Sequence, residues 1–272
     1  MSKRPHGSVQ YDNSGRVVLV TGGAGGIGLA ICQAFAASGA TTIAVDVAEP
    51  DPNEEFPAQL IVADVSRHDE CRRVVEQVAQ ECGGIDVLVN NAAIQPPDSY
   101  RAVDQLSPAV WEKMLAINLS GYAYMGMETA AVMRRQKSGV IINMASAQAH
   151  RTAREVPAYG PIKAANVMQA KQWGVELARE GVRVVSISPG AIGTPLLRAS
   201  LAQQGGEEQL ANRHPLGRIG EPDEIAAAAL WLASDGASFV TAADLEVDGG
   251  LGAFAAFADP FSVSTIPGKS DR

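Results

Sequence analysis

The sequence predicts an α/β protein with one doubly wound parallel sheet of about seven strands and helices on both faces. Short β-branched runs alternate with longer helix-like segments along the chain, an order typical of strands joined by helical crossovers. Several of these runs end in glycine, acidic or amide residues, at the sheet edge where open α/β folds bind their ligands. No linker or change of composition divides the 272 residues, so we expect a single domain.

The first strand, predicted at residues 17–20, leads into a glycine-rich turn at residues 21–28 and then into a helix. Gly22, Gly26 and Gly28 would let backbone N–H groups and the helix N-terminus approach a pyrophosphate. A tight strand-to-helix junction can also use glycines for packing alone. Because this turn directly follows the first strand, we favour a phosphate site.

Asp46 ends the second predicted strand, residues 41–46, and lies 18 residues beyond Gly28. An acid at this point suits the ribose hydroxyls of an adenine nucleotide. It also repels a 2′-phosphate by roughly 4 kcal/mol per unit charge at about 4 Å and intermediate dielectric. Neither the glycine turn nor residues 47–48 offer an arginine or lysine, so we expect NAD rather than NADP. The alternative is an acid that only solvates the strand end.

Two further strands, predicted at residues 60–63 and 85–89, end in polar or small residues. Asp64 and Val65 follow the third strand, and residues 90–93, Asn-Asn-Ala-Ala, follow the fourth. These residues can be simple turn formers. Since the strands are parallel, however, their ends share one sheet edge with the glycine turn.

Two helices of different character are predicted around these strands. Residues 69–82 form a charged amphipathic segment, whereas residues 111–133 form a long and largely apolar one whose aromatic and methionine content favours core or subunit interface. Asn118 is the exception, because a polar amide among apolar neighbours needs hydrogen-bond partners.

Ser146 follows the fifth predicted strand, residues 140–144, and Tyr159 and Lys163 stand four apart at the start of a helix. Their side chains would share one helix face. An ammonium at about 4 Å contributes roughly 4 kcal/mol, enough to lower the pKa of a tyrosine from about 10 to about 7. Tyr159 could then act as an acid or base. Taken alone, the same spacing also fits an ordinary surface pair.

The last third of the chain completes the sheet. A sixth strand is predicted at residues 182–187 and a closing strand at residues 245–250, with a helix at residues 221–233 between them. Residues 195–217 are too long and irregular for an ordinary connection, so we expect a substrate lid at about residues 191–217.

Together these elements, from about residue 15 to residue 250, resemble the classical short-chain dehydrogenase/reductase family, which implies a Rossmann-type fold. The joint occurrence of its motifs in this order is highly specific and favours the catalytic interpretation of Tyr159. The matching motifs are Thr21-Gly22-x-x-x-Gly26-x-Gly28, Asp64-Val65, Asn90-Asn91-Ala92, Asn118, Ser146, Tyr159-x-x-x-Lys163, Pro189-Gly190 with Thr194, and Val247-Asp248-Gly249-Gly250.

The resemblance implies four catalytic residues. Tyr159 would be the general acid/base, and Lys163 would hold the nicotinamide ribose and lower the pKa of the tyrosine. Ser146 would orient the substrate oxygen, and Asn118 would support a water relay to bulk solvent. The cofactor supplies the hydride chemistry, while the protein contributes position and proton management.

The resemblance also implies a dinucleotide site at the same sheet edge. Asp64 and Val65 would meet the adenine, while Asn90 and residues 192–194 would flank the ribose and carboxamide. The expected cofactor contacts are Gly22, Gly26, Ile27, Gly28, Asp46, Asp64, Val65, Asn91, Ala92, Tyr159, Lys163, Pro189, Gly190, Ile192 and Thr194.

Three features depart from the family pattern. Ala93 stands where the family usually has glycine, and Gly160-Pro161 lie inside the Tyr-x-x-x-Lys motif. The motif geometry survives if Pro161 falls within about the first helical turn. The third departure is the tail at residues 251–272, which either lines a substrate pocket or packs on the surface. Its aromatic residues are Phe254, Phe257 and Phe261.

Composition excludes several classes of partner and site. A net charge of −8 and a pI near 5.1 argue against nucleic acid and anionic membranes. Cys32, Cys71 and Cys82 form no metal pattern and fit a reducing cytosol. His6, His68 and His214 show no spacing typical of metal ligands, so no metal is expected. His150 either touches the substrate or is solvated. The polar N-terminal segment lacks the apolar core of a signal peptide, and no apolar run is long enough to span a membrane. Residues 1–14 are expected to be a loose arm.

Three functions remain open at this point. The leading hypothesis is a cytoplasmic NAD-dependent oxidoreductase that interconverts a secondary alcohol and a ketone in a small, cyclic or hydroxylated molecule. The alternative is a 3-oxoacyl-thioester reductase, for which Arg151, Arg154 and Arg198 permit a basic patch. The third and least favoured hypothesis is a non-catalytic dinucleotide-binding sensor or scaffold. The resemblance further implies a homotetramer packed through helices at about residues 109–136 and 157–179.

Overall fold

Seven parallel strands form one sheet in the computed structural model, which describes residues 7–49, 56–201 and 206–254. The strand order is β3-β2-β1-β4-β5-β6-β7, and the predicted doubly wound parallel sheet is confirmed. The strands are β1 Val17–Thr21, β2 Thr41–Asp46, β3 Gln59–Val62, β4 Val87–Asn90, β5 Gly139–Met144, β6 Val182–Pro189 and β7 Asp244–Val247.

Eight α-helices in the described ranges connect the strands and flank the sheet. They are α1 Gly26–Ala37, α2 His68–Cys82, α3 Pro108–Leu115, α4 Gly121–Gln136, α5 Tyr159–Leu177, α6 Pro195–Ser200, α7 Glu207–Ala211 and α8 Pro222–Ala233. None of these helices is long and apolar enough to cross a membrane.

Strand side chains alternate between two hydrophobic layers because successive residues of a strand point to opposite faces. Leu19 and Leu88 pack in the layer that includes residues of α2, α4 and α5. Val18 and Val89 pack in the layer that includes residues of α1 and α8. Both faces of the sheet are therefore covered, which explains why its strands are continuous apolar runs.

The strand order reverses at β1, which pairs with β2 on one side and β4 on the other. Open α/β sheets bind ligands beyond the carboxyl ends of their strands at such a reversal. Thr21 ties the two strand ends together, because its Oγ1 accepts from the Asn91 and Ala92 N–H groups at 2.9 and 3.1 Å. The Asn91 side chain donates in turn to the carbonyl oxygens of Thr21 and Gly22.

Two segments differ from the sequence predictions. The single helix predicted at residues 111–133 is interrupted by a π-helical turn, Ala116–Ser120, with Asn118 at its centre. The reason is tertiary, since the Asn118 side chain hydrogen-bonds to the backbone of Ile94. The stretch predicted to be irregular at residues 195–217 contains the short helices α6 and α7.

The two ends of the chain are only partly within the described residues. Residues 7–10 are exposed, whereas Asn13 is buried and donates to Ser38 Oγ at 2.8 Å, so packing begins just before residue 15. Phe254 is partly buried. Phe257 and Phe261 lie outside the described residues, as do residues 1–6.

Gly174 allows α5, the helix that begins at Tyr159, to lie directly on the sheet. A Cβ at this position would come within 2.6 Å of the Ala242 nitrogen and 2.9 Å of the Val184 oxygen, and neither backbone atom can move aside cheaply. We expect Gly174→Ala to lower the free energy of unfolding by about 1–3 kcal/mol, measured by urea denaturation. At an open helix position the same change would stabilise by roughly 0.5–1 kcal/mol. Val175→Ala, at an exposed neighbour on the same helix, is the control; equal midpoints for the two variants would contradict the close packing.

Candidate active site

Two connected cavities open at the carboxyl edge of the sheet. The first, of about 360 Å³, is lined by the glycine turn, Asp46 and Asp64 and is called the glycine cleft. The second, of about 180 Å³, is lined by Ser146, Tyr159 and Lys163 and is called the tyrosine cavity. The residues that line both are Ile27, Asn91, Ala93, Thr194 and Leu196, so a ligand could extend from one cavity into the other.

The glycine turn presents open backbone at the start of α1. Gly22 and Gly26 have φ angles of 65° and 55°, which favour glycine. A side chain at Gly28 would collide with the Gly22 carbonyl oxygen. No side chain caps the amino end of α1, so its first N–H groups and the positive end of its dipole are available to an anionic group.

Asp46 stands at the rim of the glycine cleft, at the end of β2. Its two carboxylate oxygens accept from the N–H groups of Ala24 and Ala48, each at 3.1 Å. Among the described residues that line the cleft, the charged ones are Asp46 and Asp64, and none is arginine or lysine. The cleft therefore carries negative charge where a nucleotide ribose would lie in this fold.

Asp64 and Val65 form the wall of the glycine cleft beyond β3. The Asp64 carboxylate accepts from the Ser66 N–H at 2.9 Å. Val65 lies against Gly121 at the start of α4, where a Cβ would come within 2.9 Å of the valine side chain. The two residues that the sequence assigns to an adenine site therefore do line the cleft.

Asn118 clamps the loop that follows β4. Its Oδ1 accepts from the Ile94 N–H and its Nδ2 donates to the Ile94 carbonyl oxygen, both at 2.8 Å. Its own carbonyl oxygen accepts from Asn166 Nδ2 at 3.1 Å. Asn118 is fully buried and is absent from the described lining of the tyrosine cavity, so its side chain acts by fixing the loop.

Tyr159 is the first residue of α5, and Lys163 follows one turn later. Pro161 falls in the first turn of the helix, where its missing N–H would have no helical partner. Pro161 therefore leaves the geometry of the Tyr-x-x-x-Lys motif intact. Ser146 begins a short 3₁₀ turn after β5, and its Oγ accepts from the Gln148 N–H at 3.2 Å.

The pKa values at this site follow from burial. Burial raises the pKa of Tyr159 above its usual value, Tyr100 raises it further, and a hydrogen bond with Ser146 lowers it in part. Burial also lowers the pKa of Lys163 to about 7, and its Nζ lies 5.6 Å from the centre of the Tyr159 ring. Burial therefore shifts the Tyr159 pKa in the direction opposite to the one that the sequence argument expects from an adjacent ammonium.

Tyr122 contacts Lys163 and is missed by the sequence argument. Lys163 Nζ donates to the Met144 carbonyl oxygen at 2.7 Å and to the Tyr122 hydroxyl at 3.2 Å, and that hydroxyl donates to Met144 at 3.1 Å. The sequence assigns Tyr122 to the apolar core of a long helix. The available signal is its hydroxyl, since a buried tyrosine normally needs a hydrogen-bond partner.

His214 fixes the turn that follows β6. Its Nε2 accepts from the Ala191 N–H at 3.1 Å and its Nδ1 donates to the Leu210 carbonyl oxygen at 2.9 Å. Burial lowers the pKa of His214, in keeping with this neutral form. The turn holds Pro189, Gly190, Ile192 and Thr194 against the tyrosine cavity. Sequence offers no signal for this role, because it depends on contact between distant segments.

A third cavity, of about 670 Å³, adjoins the tyrosine cavity at Gln148 and is called the arginine cavity. Its lining includes Arg101, Arg151 and Arg154, and none of these forms an ion pair within the described part of the chain. His150 also lines it, with Nε2 2.7 Å from Asp244 Oδ2. His150 thus belongs to this cavity and not to the described lining of the tyrosine cavity. Arg198 is exposed on α6.

No group of three or more metal-ligating side chains occurs among the residues that the structure describes.

Comparisons with known proteins agree with this geometry. Residues 22–252 match a family model described as enoyl-(acyl carrier protein) reductase. The chain is 38% identical over 247 residues to 2,3-dihydro-2,3-dihydroxybenzoate dehydrogenase of Escherichia coli K12, covering 88% of this chain and 98% of that protein.

Two solved structures show the same fold with different nucleotides. One is 3-ketoacyl-(acyl-carrier-protein) reductase from Brucella melitensis complexed with NADH, with a TM-score of 0.80, 29% identity and coverage of 88% and 99% of the two chains. The other is gluconate 5-dehydrogenase from Burkholderia cenocepacia in complex with NADP and tartrate, with a TM-score of 0.83, 32% identity and coverage of 90% and 98%.

The low pKa of Lys163 makes stability depend on pH in a predictable direction. Between about pH 7 and the usual lysine pKa near 10.4, the unfolded chain binds more protons at this position than the folded chain. The stability of the wild type should therefore rise with pH over this range relative to Lys163→Met, by roughly 1.4 kcal/mol per pH unit at most. Urea denaturation between pH 6 and pH 9.5 measures this difference. Lys171→Met, at an exposed position on the same helix, should give a profile parallel to wild type. A parallel profile for Lys163→Met as well would rule out the shifted pKa.

Proposed function

Because the chain belongs to the classical short-chain dehydrogenase/reductase family, we propose that it is an NAD-dependent oxidoreductase that interconverts a secondary alcohol and a ketone. Members of this family bind nicotinamide dinucleotides, and the chain is accordingly an oxidoreductase of that class. The observation that supports the specific proposal is the convergence of Ser146, Tyr159 and Lys163 in one cavity that joins the glycine cleft.

The glycine cleft fits a dinucleotide. The uncapped start of α1 suits the pyrophosphate. The pyrophosphate must approach this backbone closely, and a side chain at Gly28 would occupy the space that the turn needs. Asp46 would accept from the ribose hydroxyls, and Asp64 and Val65 would border the adenine. The rest of the dinucleotide would continue into the tyrosine cavity along Asn91, Ile192 and Thr194. When bound, the nicotinamide supplies the hydride acceptor or donor.

Tyr159 is proposed to move the proton at the substrate oxygen. In ketone reduction its phenol O–H would donate a proton to the oxygen as the carbon receives the hydride, and in alcohol oxidation the phenolate would take that proton back. A pKa raised by burial favours the O–H form, which is the proton donor that ketone reduction requires. Ser146, whose hydroxyl interacts with Tyr159, would orient the same oxygen, and Lys163 would hold the ribose.

NAD is favoured over NADP by the charges of the cleft. Asp46 lies at the ribose end with no arginine or lysine in the described lining to bind a 2′-phosphate. A unit charge at about 4 Å would cost roughly 4 kcal/mol at intermediate dielectric. That repulsion supports NAD even though related structures bind either nucleotide.

A 3-oxoacyl-thioester reductase is the second candidate, and the arginine cavity favours it. Its three arginines, which form no ion pair with any described residue, would suit an acidic carrier protein or the phosphates of coenzyme A. A non-catalytic sensor remains the third reading, and the assembled Ser146, Tyr159 and Lys163 argue against it.

We also propose a cytoplasmic homotetramer. Met127, Met168 and Val175 are exposed apolar side chains on α4 and α5, the helices that the family resemblance assigns to subunit contacts. Within the described chain, Cys32, Cys71 and Cys82 are free thiols, which fits a reducing compartment.

Activity should depend on the Tyr159 hydroxyl. We expect wild-type protein to turn over a secondary alcohol or ketone with NAD(H), in a panel of simple alcohols, cyclic diols, sugars and 3-oxoacyl thioesters followed by nicotinamide absorbance. Tyr159→Phe should lower kcat/KM by about 10²–10⁴-fold and leave NADH binding within a few-fold. Tyr124→Phe, a partly buried tyrosine on α4, should behave as wild type.

Each other outcome of this panel supports a competing hypothesis or rejects the proposed mechanism. Turnover confined to 3-oxoacyl thioesters would promote the second candidate. Tight NADH binding without any turnover would favour the sensor. A Tyr159→Phe variant with an unchanged rate would reject the proposed proton transfer.

Asp46 should control the choice of nucleotide. We expect Asp46→Asn to reduce the preference for NAD over NADP by roughly 10²–10³-fold, because the nearly isosteric amide removes the repulsion of the 2′-phosphate while keeping an acceptor for the Ala24 N–H. Kd values for NAD, NADH, NADP and NADPH measure the effect. Asp64→Asn, in the same cleft, should change both nucleotides alike. A wild-type preference for NADP would overturn the assignment of NAD.

A further inference from the structure

Residues 146–150 form the turn that carries Ser146 and are called the serine turn. The Ser146 carbonyl oxygen accepts from the Ala149 N–H at 2.8 Å, and its hydroxyl oxygen accepts from the Gln148 N–H at 3.2 Å. His150 ends the turn. Because these bonds lie within the turn, the direction of the Ser146 hydroxyl depends on how the turn is wound and held.

The serine turn lies between the start of α5 and the last two strands of the sheet. Just before the turn, the Ala145 N–H donates to a carbonyl oxygen of β6 at 2.7 Å. On its flank, a Cβ at Gly160 of α5 would come within 3.1 Å of the Gln148 carbonyl oxygen. At its end, His150 Nε2 lies 2.7 Å from Asp244 Oδ2, at the start of β7. A backbone bond thus holds one end of the turn and a side-chain contact holds the other.

Asp244 is a rigid and buried anchor for this contact. Its side chain is 8% exposed, and it accepts from the hydroxyls of Ser186 and Ser188, both on β6. A carboxylate can only accept hydrogen bonds, so His150 Nε2 is the donor in the remaining contact. Among the described ion pairs, His150 is the partner of Asp244. Removing the imidazole would therefore leave a buried carboxylate without its partner, which costs more than the loss of an exposed pair.

A second histidine–carboxylate pair in the molecule provides a matched comparison. His68 Nε2 also lies 2.7 Å from a carboxylate oxygen, Oε1 of Glu128. This pair joins α2 to α4, its carboxylate is more exposed, and neither residue belongs to the described lining of the three cavities. The two pairs share their chemistry and their distance. They differ in that only the His150 pair is attached to the serine turn.

We propose that His150 and Asp244 are positioning residues for the reaction and act through Ser146. Asp244 holds His150, His150 holds the end of the serine turn, and the turn keeps the Ser146 hydroxyl beside Tyr159, with which it interacts. The inference rests on the proposed function, which assigns Ser146 and Tyr159 to the substrate oxygen. A small misplacement of such a group costs rate, because the reacting atoms must be held in a narrow range of geometry.

The first test measures kcat/KM with the substrate that the wild type turns over best. His150→Leu should lower kcat/KM by about 10–100-fold and leave the Kd of NADH unchanged. His150→Gln, whose side-chain amide can still donate to Asp244, should recover most of this loss. His68→Leu, at the matched pair, should stay within about twofold of the wild type. A loss in His150→Gln as large as in His150→Leu would reject the hydrogen bond as the link.

A double-mutant cycle separates positioning of Ser146 from a general structural effect. In a Ser146→Ala background there is no hydroxyl left to position, so adding His150→Leu should lower kcat/KM by less than about twofold further. An effect that does not pass through Ser146 would instead multiply with the loss caused by Ser146→Ala. The full 10–100-fold factor in that background, or an unchanged kcat/KM in His150→Leu alone, would overturn the proposal.

Amide hydrogen exchange tests the same contact without any turnover. In peptides that cover residues 146–151, His150→Leu and Asp244→Ala should each speed exchange of the turn amides by about 10-fold or more, whereas His150→Gln should resemble the wild type. The two histidine variants decide if Asp244→Ala does not fold. Unchanged exchange in His150→Leu would overturn the proposal whatever the activity. Faster exchange in a protein that turns over no substrate would support the contact and reject the oxidoreductase, so the two failures are distinguishable.

Discussion

The buried amine of Lys163 is the constraint on which the rest of the site depends. Only 1% of the residue is exposed, and no carboxylate of the described chain pairs with it. Two oxygens from different elements, the Met144 carbonyl of β5 and the Tyr122 hydroxyl of α4, accept its protons instead. Burial removes the amine from water and these neutral acceptors bring no opposite charge, so its pKa falls to about 7.

Holding this amine requires three elements to meet closely. Helix α5 lies against β6 through Gly174, and α4 is tied to β4 because Asn90 Nδ2 donates to the Tyr122 carbonyl oxygen at 3.3 Å. Asn90 also donates to Asn143 of β5 at 3.0 Å. Amides between strands thus set the spacing of the helices that present Lys163 and Tyr159. A parallel sheet suits this task, because its strand ends and helix starts share one edge.

Sequence predicts the parts of this protein that local chemistry decides. The β-branched runs give the strands, the glycines give the turn before α1, and Pro161 marks the first turn of α5, because each depends on neighbours within a few residues. The hydrogen-bond partners of Asn118, Tyr122 and His214 could not be predicted. Asn118 and its partner Ile94 lie 24 residues apart and Tyr122 and Lys163 lie 41 apart. The sequence argument for the Tyr159 pKa also left out burial, a tertiary property that raises this pKa.

The charges around the tyrosine cavity are unevenly placed. The glycine cleft on one side is lined by Asp46 and Asp64, and the arginine cavity on the other by Arg101, Arg151 and Arg154, in a chain whose net charge is −8. Since like charges repel and such fields steer ligands towards a site, any anionic part of a substrate would lie on the arginine side. The reacting carbon would then face the nucleotide. Charge would therefore orient a substrate at long range, before any direct contact in the tyrosine cavity.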